Sequence, residues 1–436
     1  MLFISADPIG EQMAGLGIRY WELARAIGER AQVTVAHGGE EQLGAGVETV
    51  LFDPHRPGAL RAAIDRADVI VTHPQWPIVT RWLRRAKARV IFDLYDPETL
   101  ETLELLAGRP LALRRQLTAT TQDRLHDALR TGHHFMCASE TQRDLWLGAM
   151  VALRLIDPAS YDRDPSLRST IDLVPFGVPE TAPSATGAPG PRQSIPGLDG
   201  DQEIVLWNGG IWRWLDAETA IRAVVELAQR RPSVRLVFMG ASARHPAAKQ
   251  AGEAARSLAR ELGALGSSVH FHDGWVPYAE RAAWLTQADC ALSCQRDHLE
   301  TRFAFRTRIL DCFWAGLPVV CTEGDDLADY IARHDLGQAC PAENVGAVGD
   351  TLERVLDRGR AAYADALAQA ALAHSWPIVA RPLLRWIESP EEHSRPGDTP
   401  GALRAPLRQR ARESAYLLGA SRALAWRRSR AGAGHR

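Results

Sequence analysis

The chain has 436 residues, of which 46% are hydrophobic and 24% charged, and a net charge of −2. That is a globular mix, long enough for about two or three domains, and it gives no global electrostatic reason to bind nucleic acid. No apolar run approaches the roughly 20 residues that span a bilayer.

The start, Met1-Leu2-Phe3-Ile4-Ser5-Ala6, has no basic region or cleavage signal and reads as a first β-strand. Short apolar strands then alternate with amphipathic helices, the pattern of a parallel α/β sheet. In the first half, strands are expected at 1–5, 32–36, 69–72, 89–94, 134–138 and 171–175. Helices are expected at 18–29, 58–66, 77–86, 97–106, 111–130 and 140–153. A second series begins after residue 200, with strands at 203–207, 234–239, 269–271, 289–293, 318–321 and 337–339. Its helices are expected at 216–230, 246–262, 279–286, 304–315, 325–333 and 345–356.

Between the two series, the Pro-, Gly- and Ser-rich stretch from Glu180 to Arg192 reads as a linker. The expected division is therefore a first domain at 1–180, a linker at 181–201 and a second domain at 202–388. Residues 389–436 form a further linker and a basic tail. Two Rossmann-like sheets joined in this way make a cleft at the carboxyl ends of their strands, where open α/β folds bind ligands.

Residues 401–436 hold nine Arg against Glu413 alone, a net +8 that leaves −10 on the rest. With Leu403, Leu407, Leu417 and Trp426 among those arginines, the tail reads either as an amphipathic helix on anionic lipid or as a solvated arm. The six cysteines form no Cys-x-x-Cys pair and sit in apolar runs, as buried thiols in a reducing compartment do. Hence the expectation is a cytoplasmic protein, peripheral at the inner membrane face if the tail binds lipid.

Several segments carry the chemistry. Gly15-Leu16-Gly17-Ile18-Arg19 opens the first helix, and a glycine turn at a helix N-terminus suits a phosphate. The third glycine of a dinucleotide fingerprint is missing, which counts against NAD. Asn208-Gly209-Gly210-Ile211-Trp212-Arg213 repeats the arrangement after a strand, with Arg213 placed either for an anionic leaving group or for Asp216. His270 and His272 alternate on one strand face with no further ligands nearby, so no metal site is expected. Trp275 and Val276 follow, where backbone groups suit a nucleobase. Asp93 and Asp96 stand at a strand end facing the cleft, either for acceptor hydroxyls or, for Asp96, as a helix cap. His73 ends another strand as a cleft residue or a core histidine.

The run Arg306 to Val320 reads as a helix carrying Asp311 on its inner face, stopped at Gly316 and Pro318. Its opening arginines and amides suggest an anion site.

On these residues the chain resembles the GT-B glycosyltransferases, specifically the retaining family 4, over roughly 1–388 and most closely over 203–216, 271–289 and 300–323. The resemblance implies an α/β protein of the GT-B class: two Rossmann-like domains facing each other across a cleft, here with a basic C-terminal tail. It implies transfer from a nucleotide-sugar donor (UDP-, GDP- or dTDP-linked) to a glycan, lipid-linked or small-molecule acceptor, with no permanently bound cofactor and no metal. The stretch 300–308 is similar to a bacterial subgroup linked to surface polysaccharide assembly. Gly15, Gly17, Gly209, Gly210, Trp275, Val276, Glu300, Thr307 and Asp311 are the implied donor-binding residues, with Asp311 at the ribose. Arg213, Arg306 and Asp96 are the implied catalytic residues, and His73 and Asp93 the acceptor-binding ones. The family's paired acids lie eight positions apart. Asp311 matches the second, Phe303 stands in the place of the first, and Glu300 is three residues earlier. A nucleotide-sugar epimerase on the same fold and a non-catalytic relative are the rival readings.

Overall fold

The structure is a computed structural model and describes residues 1–11, 13, 15–39, 47–53, 58–185, 187–198, 200–240 and 246–389. The basic tail lies outside the described residues.

Two parallel sheets organise the chain. The first has seven strands, β1 (Leu2–Ile4), β2 (Thr34–His37), β3 (Glu48–Leu51), β4 (Val69–Thr72), β5 (Arg89–Asp93), β6 (His134–Cys137) and β7 (Ile171–Leu173), in the order β3-β2-β1-β4-β5-β6-β7. The second has six, β8 (Glu203–Gly210), β9 (Val234–Gly240), β10 (Val269–Phe271), β11 (Cys290–Ser293), β12 (Val319–Thr322) and β13 (Gly337–Cys340), in the order β10-β9-β8-β11-β12-β13. The central strands β4, β6, β11 and β12 are buried at every position. Their continuous apolar runs reflect helices packed on both faces of each sheet.

Three segments depart from the sequence-based expectation. β3 was not anticipated: it is an edge strand with no fully buried residue, so its Glu-Thr-Val-Leu carries little apolar signal. The helix expected at 304–315 starts only at Thr307 (Thr307–Trp314), and a short helix that was not anticipated, Leu299–Phe303, precedes it. Between them the chain is extended at Ala304 (ψ 150°), and Arg306 turns inward to a buried acid. Residues 376–388, expected with the second domain, pack on the first. Ser375 bridges to Val178, the ring of Trp376 sits against Gly177, and Arg89 lies 4.6 Å from the centre of the Trp386 ring. The chain thus crosses back after completing its second sheet.

The domains meet at the carboxyl ends of their strands. The Gln142 side chain, fully buried, donates to the carbonyls of Tyr95 (2.6 Å) and Phe303 (2.8 Å). Thr141 donates to Asp326 across the same seam at 2.6 Å. The cleft between the domains is therefore clasped at one side.

Candidate active site in the interdomain cleft

On the second-domain side, β8 ends in the turn Asn208-Gly209-Gly210, where Gly209 has φ +142°. That backbone favours glycine, and the register with β9 slips between Trp207 and Gly210. Against this turn lies Arg308. Its guanidinium donates to the Gly210 carbonyl at 3.3 Å and stands 3.4 Å from where a β-carbon on Gly209 would sit. Asn208 holds the Arg308 carbonyl at 2.8 Å. Among the described residues no carboxylate pairs with this arginine. Burial and the neighbouring Arg306 lower its pKa to about 10. Arg308 is half-buried; a partly desolvated cation without a counter-ion is unfavourable, and a bound anion would offset that cost. Of the two opening arginines that the sequence marks as an anion site, the resemblance had singled out Arg306; it is Arg308, at the second position of the helix, that stands beside the Gly-Gly turn.

Arg306, expected at the donor diphosphate, is not available to it. Its Nε and Nη2 donate to the Asp325 carboxylate, and its other donors meet the Ser293 carbonyl (3.1 Å) and the Thr322 carbonyl (2.9 Å). Asp325 also caps the helix Asp326–His334 by accepting from Ala328. Arg306 is thus a buried tie between strand ends, and the cation at the turn is Arg308. Thr307 is the first residue of its helix, half-buried beside that turn. Asp311 accepts from Arg281 at 3.0 Å and keeps part of its carboxylate exposed. Trp275 is exposed and Val276 half-buried in the loop after β10. Arg213 is exposed and reaches across the cleft, its guanidinium 3.8 Å from a β-carbon position on Gly108 of the first domain.

The first-domain side differs more from expectation. Asp93 is not free for an acceptor. It pairs with Arg19 at 2.6 Å with both side chains fully buried, and Arg19 also binds the carbonyls of Val174 and Pro175. Nor are the amides of the glycine turn free for a phosphate. Those of Leu16 and Gly17 donate to the Asp7 carboxylate. A β-carbon on Gly17 would lie 2.9 Å from the Pro8 carbonyl oxygen, so this glycine serves close packing. Gly15 remains in the cleft wall, with φ +37°.

Gly15, His73, Trp76, Asp96, Glu101 and Arg124 are among the residues that line a cavity of about 340 Å³ in the first domain, within the usual size for a small-ligand site. The His73 ring accepts from Gln75, and burial with Arg124 nearby lowers its pKa to about 3, so it is neutral at pH 7. Asp96 opens onto the cavity with protein around it. Desolvation and then Glu101 hold its pKa well above the carboxylate range. Glu101 rises to about 8 through burial, then Glu300. Glu300 comes from the second domain. It is 2% exposed, and burial followed by Asp96 raises it to about 7. Its place on the helix Leu299–Phe303 brings a second-domain acid within electrostatic reach of Asp96 and Glu101, while the Phe303 carbonyl is taken up by the Gln142 clasp.

Residues 202–358 match the family model described as glycosyl transferases group 1. The second domain is thus similar to the group 1 glycosyltransferases over those residues. Solved structures give the fold of the whole. WaaG, a glycosyltransferase involved in lipopolysaccharide biosynthesis, is 17% identical with a TM-score of 0.62, over 89% of this chain and 99% of that one. Anabaena HepE, solved with UDP and glucose, is 13% identical with a TM-score of 0.63, over 89% and 99%. Sucrose-phosphate synthase from Thermosynechococcus elongatus is 15% identical with a TM-score of 0.61, over 89% and 98%. These are GT-B folds, and the chain shares that architecture. No curated protein matches the sequence.

Across the two domains, then, the expected Gly209, Gly210, Thr307 and Arg213 come to one wall of the cleft with Arg308, the second of the helix's opening arginines. Asp96, His73 and Gly15 come to the other, joined by the unanticipated Glu101 and Arg124, with Glu300 behind Glu101. Among the described residues no three metal-ligating side chains converge on one point, and no helix is long and apolar enough to cross a membrane.

Proposed function

We propose that this glycosyltransferase moves a sugar from a nucleoside diphosphate sugar to a hydroxyl of a glycan, lipid-linked or small-molecule acceptor. The reading extends to retention of anomeric configuration, as in retaining family 4, and to a reaction without a metal ion. The observation that carries it is Arg308: a half-buried cation with no paired carboxylate, against a Gly-Gly turn at the carboxyl end of β8, where an α/β fold receives a phosphate. As the glycosidic bond breaks, its electron pair passes to the departing diphosphate. Arg308 and Arg213 are placed to meet that growing charge, the kind of preorganised stabilisation that costs no reorganisation at the moment of reaction. The acceptor oxygen then attacks from the same face, and a phosphate oxygen of the leaving group takes its proton. Asp311, through its free oxygen, is assigned the ribose hydroxyls, Trp275 and Val276 the base, and Glu300 the donor sugar.

HepE, solved with UDP and glucose, favours UDP among the UDP-, GDP- and dTDP-linked donors. The lipopolysaccharide role of WaaG favours a part in bacterial surface polysaccharide assembly. We assign residues 401–436 to an anionic membrane surface and the enzyme to the inner face of the plasma membrane. Vesicle sedimentation with and without that segment tests the assignment, and equal binding rejects it.

The central test is titration with UDP, GDP and dTDP by calorimetry. Arg308→Ala is expected to weaken the preferred nucleotide by about tenfold or more, as expected for loss of one charge-assisted contact. Arg213→Ala is expected to keep the fold and depress turnover. No nucleoside diphosphate binding to the wild-type chain would reject the function.

A further inference from the structure

The carboxylate of Asp311 is aimed by one residue. Arg281 opens the helix Arg281–Thr286, is 7% exposed, and donates from Nε to Asp311 Oδ1 at 3.0 Å. Its Nη1 donates to the Tyr278 carbonyl at 2.7 Å, and its buried Nη2 meets no acceptor among the described residues. The guanidinium is a planar fork, so fixing one nitrogen on a backbone carbonyl fixes the direction of the others. The contact with Asp311 uses Oδ1 alone, and 24% of the acid's side chain stays exposed. Asp311 is three residues beyond Arg308, on the same face of the helix Thr307–Trp314. That spacing suits a ribose attached to the diphosphate at Arg308.

The arginine is itself clamped between two rings. It lies 3.6 Å from the centre of the Tyr278 ring and 4.5 Å from a ring of Trp314, contacts that strengthen when the cation is desolvated. Each ring is tied outside the second domain. The Trp314 indole N–H donates to the Thr181 carbonyl at 2.7 Å, in the segment that joins the domains. The Tyr278 hydroxyl faces the buried carboxylate of Glu22 on the first-domain helix Gly15–Gly28. A line of contacts thus runs from the first domain to the exposed acid: Glu22, Tyr278, Arg281, Asp311.

We propose that Arg281 is the positioning residue for nucleoside recognition. It presents Asp311 to the two vicinal hydroxyls of a ribose, which restricts the donor to a ribonucleoside diphosphate and sets UDP- and GDP-linked sugars apart from the dTDP-linked one. Tyr278 and Glu22 make that presentation depend on the first domain. The inference deepens the transferase reading and rests on its assignment of Asp311 to the ribose. A carboxylate held in a set plane loses a matched partner when one hydroxyl is missing, and a site built to hydrogen-bond a hydroxyl rejects the analogue without it. A carboxylate free to turn finds water instead. Discrimination between ribose and deoxyribose is therefore what Arg281 governs, whereas the grip on phosphate belongs to Arg308.

The test is calorimetric titration of the full chain with UDP against 2′-deoxy-UDP and GDP against 2′-deoxy-GDP. It is run on wild type, Asp311→Asn, Arg281→Met, Arg281→Lys and Tyr278→Phe. Wild type is expected to bind the ribonucleotide about tenfold or more tighter than its deoxy form. The ratio should fall close to one in Asp311→Asn and in Arg281→Met, and Arg281→Met should lower it no further in the Asp311→Asn background. Arg281→Lys keeps the charge without the planar fork, so it should fold and still lose much of the ratio. Tyr278→Phe keeps the ring but releases Glu22, and should lower the ratio by a smaller factor. Affinity for the deoxy form should stay near wild type throughout, whereas a variant that merely loosened the fold would lose both nucleotides together.

A wild-type ratio of one, or a full ratio in Arg281→Lys or Arg281→Met, would overturn the positioning role while nucleotide binding stands. A full ratio in Tyr278→Phe would overturn the link to the first domain. Failure of wild type to bind any of the four nucleotides rejects the transferase reading, and this inference with it.

Discussion

The guanidinium of Arg308 sits 3.4 Å from the point where a β-carbon on Gly209 would stand. The two residues are 99 positions apart in sequence, yet each sets a condition on the other. The glycine leaves room for the arginine, and the arginine fills the turn that the glycine forms. A cation held by a backbone turn instead of by a carboxylate keeps its charge for a ligand.

Gly209→Ala is therefore expected to have two separable effects. The φ of +142° is strained for any residue with a β-carbon, at a cost of about 1–3 kcal/mol, read as a lower midpoint in urea unfolding. The methyl group also pushes on Arg308, so nucleoside diphosphate affinity should fall in the variant that remains folded. Retained affinity in a destabilised variant would detach Arg308 from the anion site.

Arg306 and Arg308 are two residues apart and should respond in opposite ways. Arg306→Met strands Asp325 in the interior. Loss of one partner from a buried ion pair costs about 3–5 kcal/mol, so unfolding should occur at clearly lower denaturant. Arg308→Met removes a half-buried charge that no acid answers, and should leave stability unchanged or slightly raised while nucleotide binding drops. The pair is decided by urea melts and UDP titrations on both variants. Equal destabilisation in both would show that Arg308 has a structural counter-ion.

The contrast explains what sequence could and could not give. Alternating apolar runs and amphipathic helices report burial on one or both faces, so twelve of the thirteen described strands and the two-sheet plan were legible. β3 escaped because an edge strand needs few apolar residues. The site was harder, because spacing locates a residue along the chain but not its partner across it. Asp93 and Arg306 had the right type at the right strand or helix end, and each was consumed by a distant group, Arg19 in one case and Asp325 in the other. Arg308 had no such partner, which only the folded arrangement reveals. Glu101 and Arg124 lie on helices whose inward faces could not be assigned to a cavity before the cavity was seen.

Stability should bend with pH in opposite directions at the two sides of the cavity. Glu101 has a folded pKa of about 8 against an ordinary value of 4.5. Between those values the folded chain holds a proton that the unfolded chain has lost, so its contribution is full below the lower value and declines as pH rises toward 8. His73 has a folded pKa of about 3 against 6.5. There the unfolded chain takes up the proton first, so stability is lost as pH falls from 6.5 toward 3. Urea midpoints measured from pH 4 to 9 should flatten on the alkaline side in Glu101→Gln and on the acid side in His73→Gln. An unchanged profile in either variant would remove that residue from the account.

Gln142 gives the last expectation. Its amide nitrogen binds one carbonyl from each domain, Tyr95 and Phe303, while its oxygen accepts from the Ala138 amide at 2.9 Å. Gln142→Ala leaves all three backbone groups to find water or go unmet, at about 1–3 kcal/mol for each one that stays buried. Because one of the three belongs to the second domain, part of the loss should appear as loosening between domains and not within them. Small-angle scattering should show a larger radius of gyration for Gln142→Ala than for wild type, and the pairing of Thr141 with Asp326 should limit the change. Glu300 rides on the same short helix as Phe303, so the loosened enzyme should also hold the donor sugar less well and turn over more slowly while UDP affinity stays near wild type. Wild-type scattering together with wild-type turnover would mean that the clasp is not what positions Glu300.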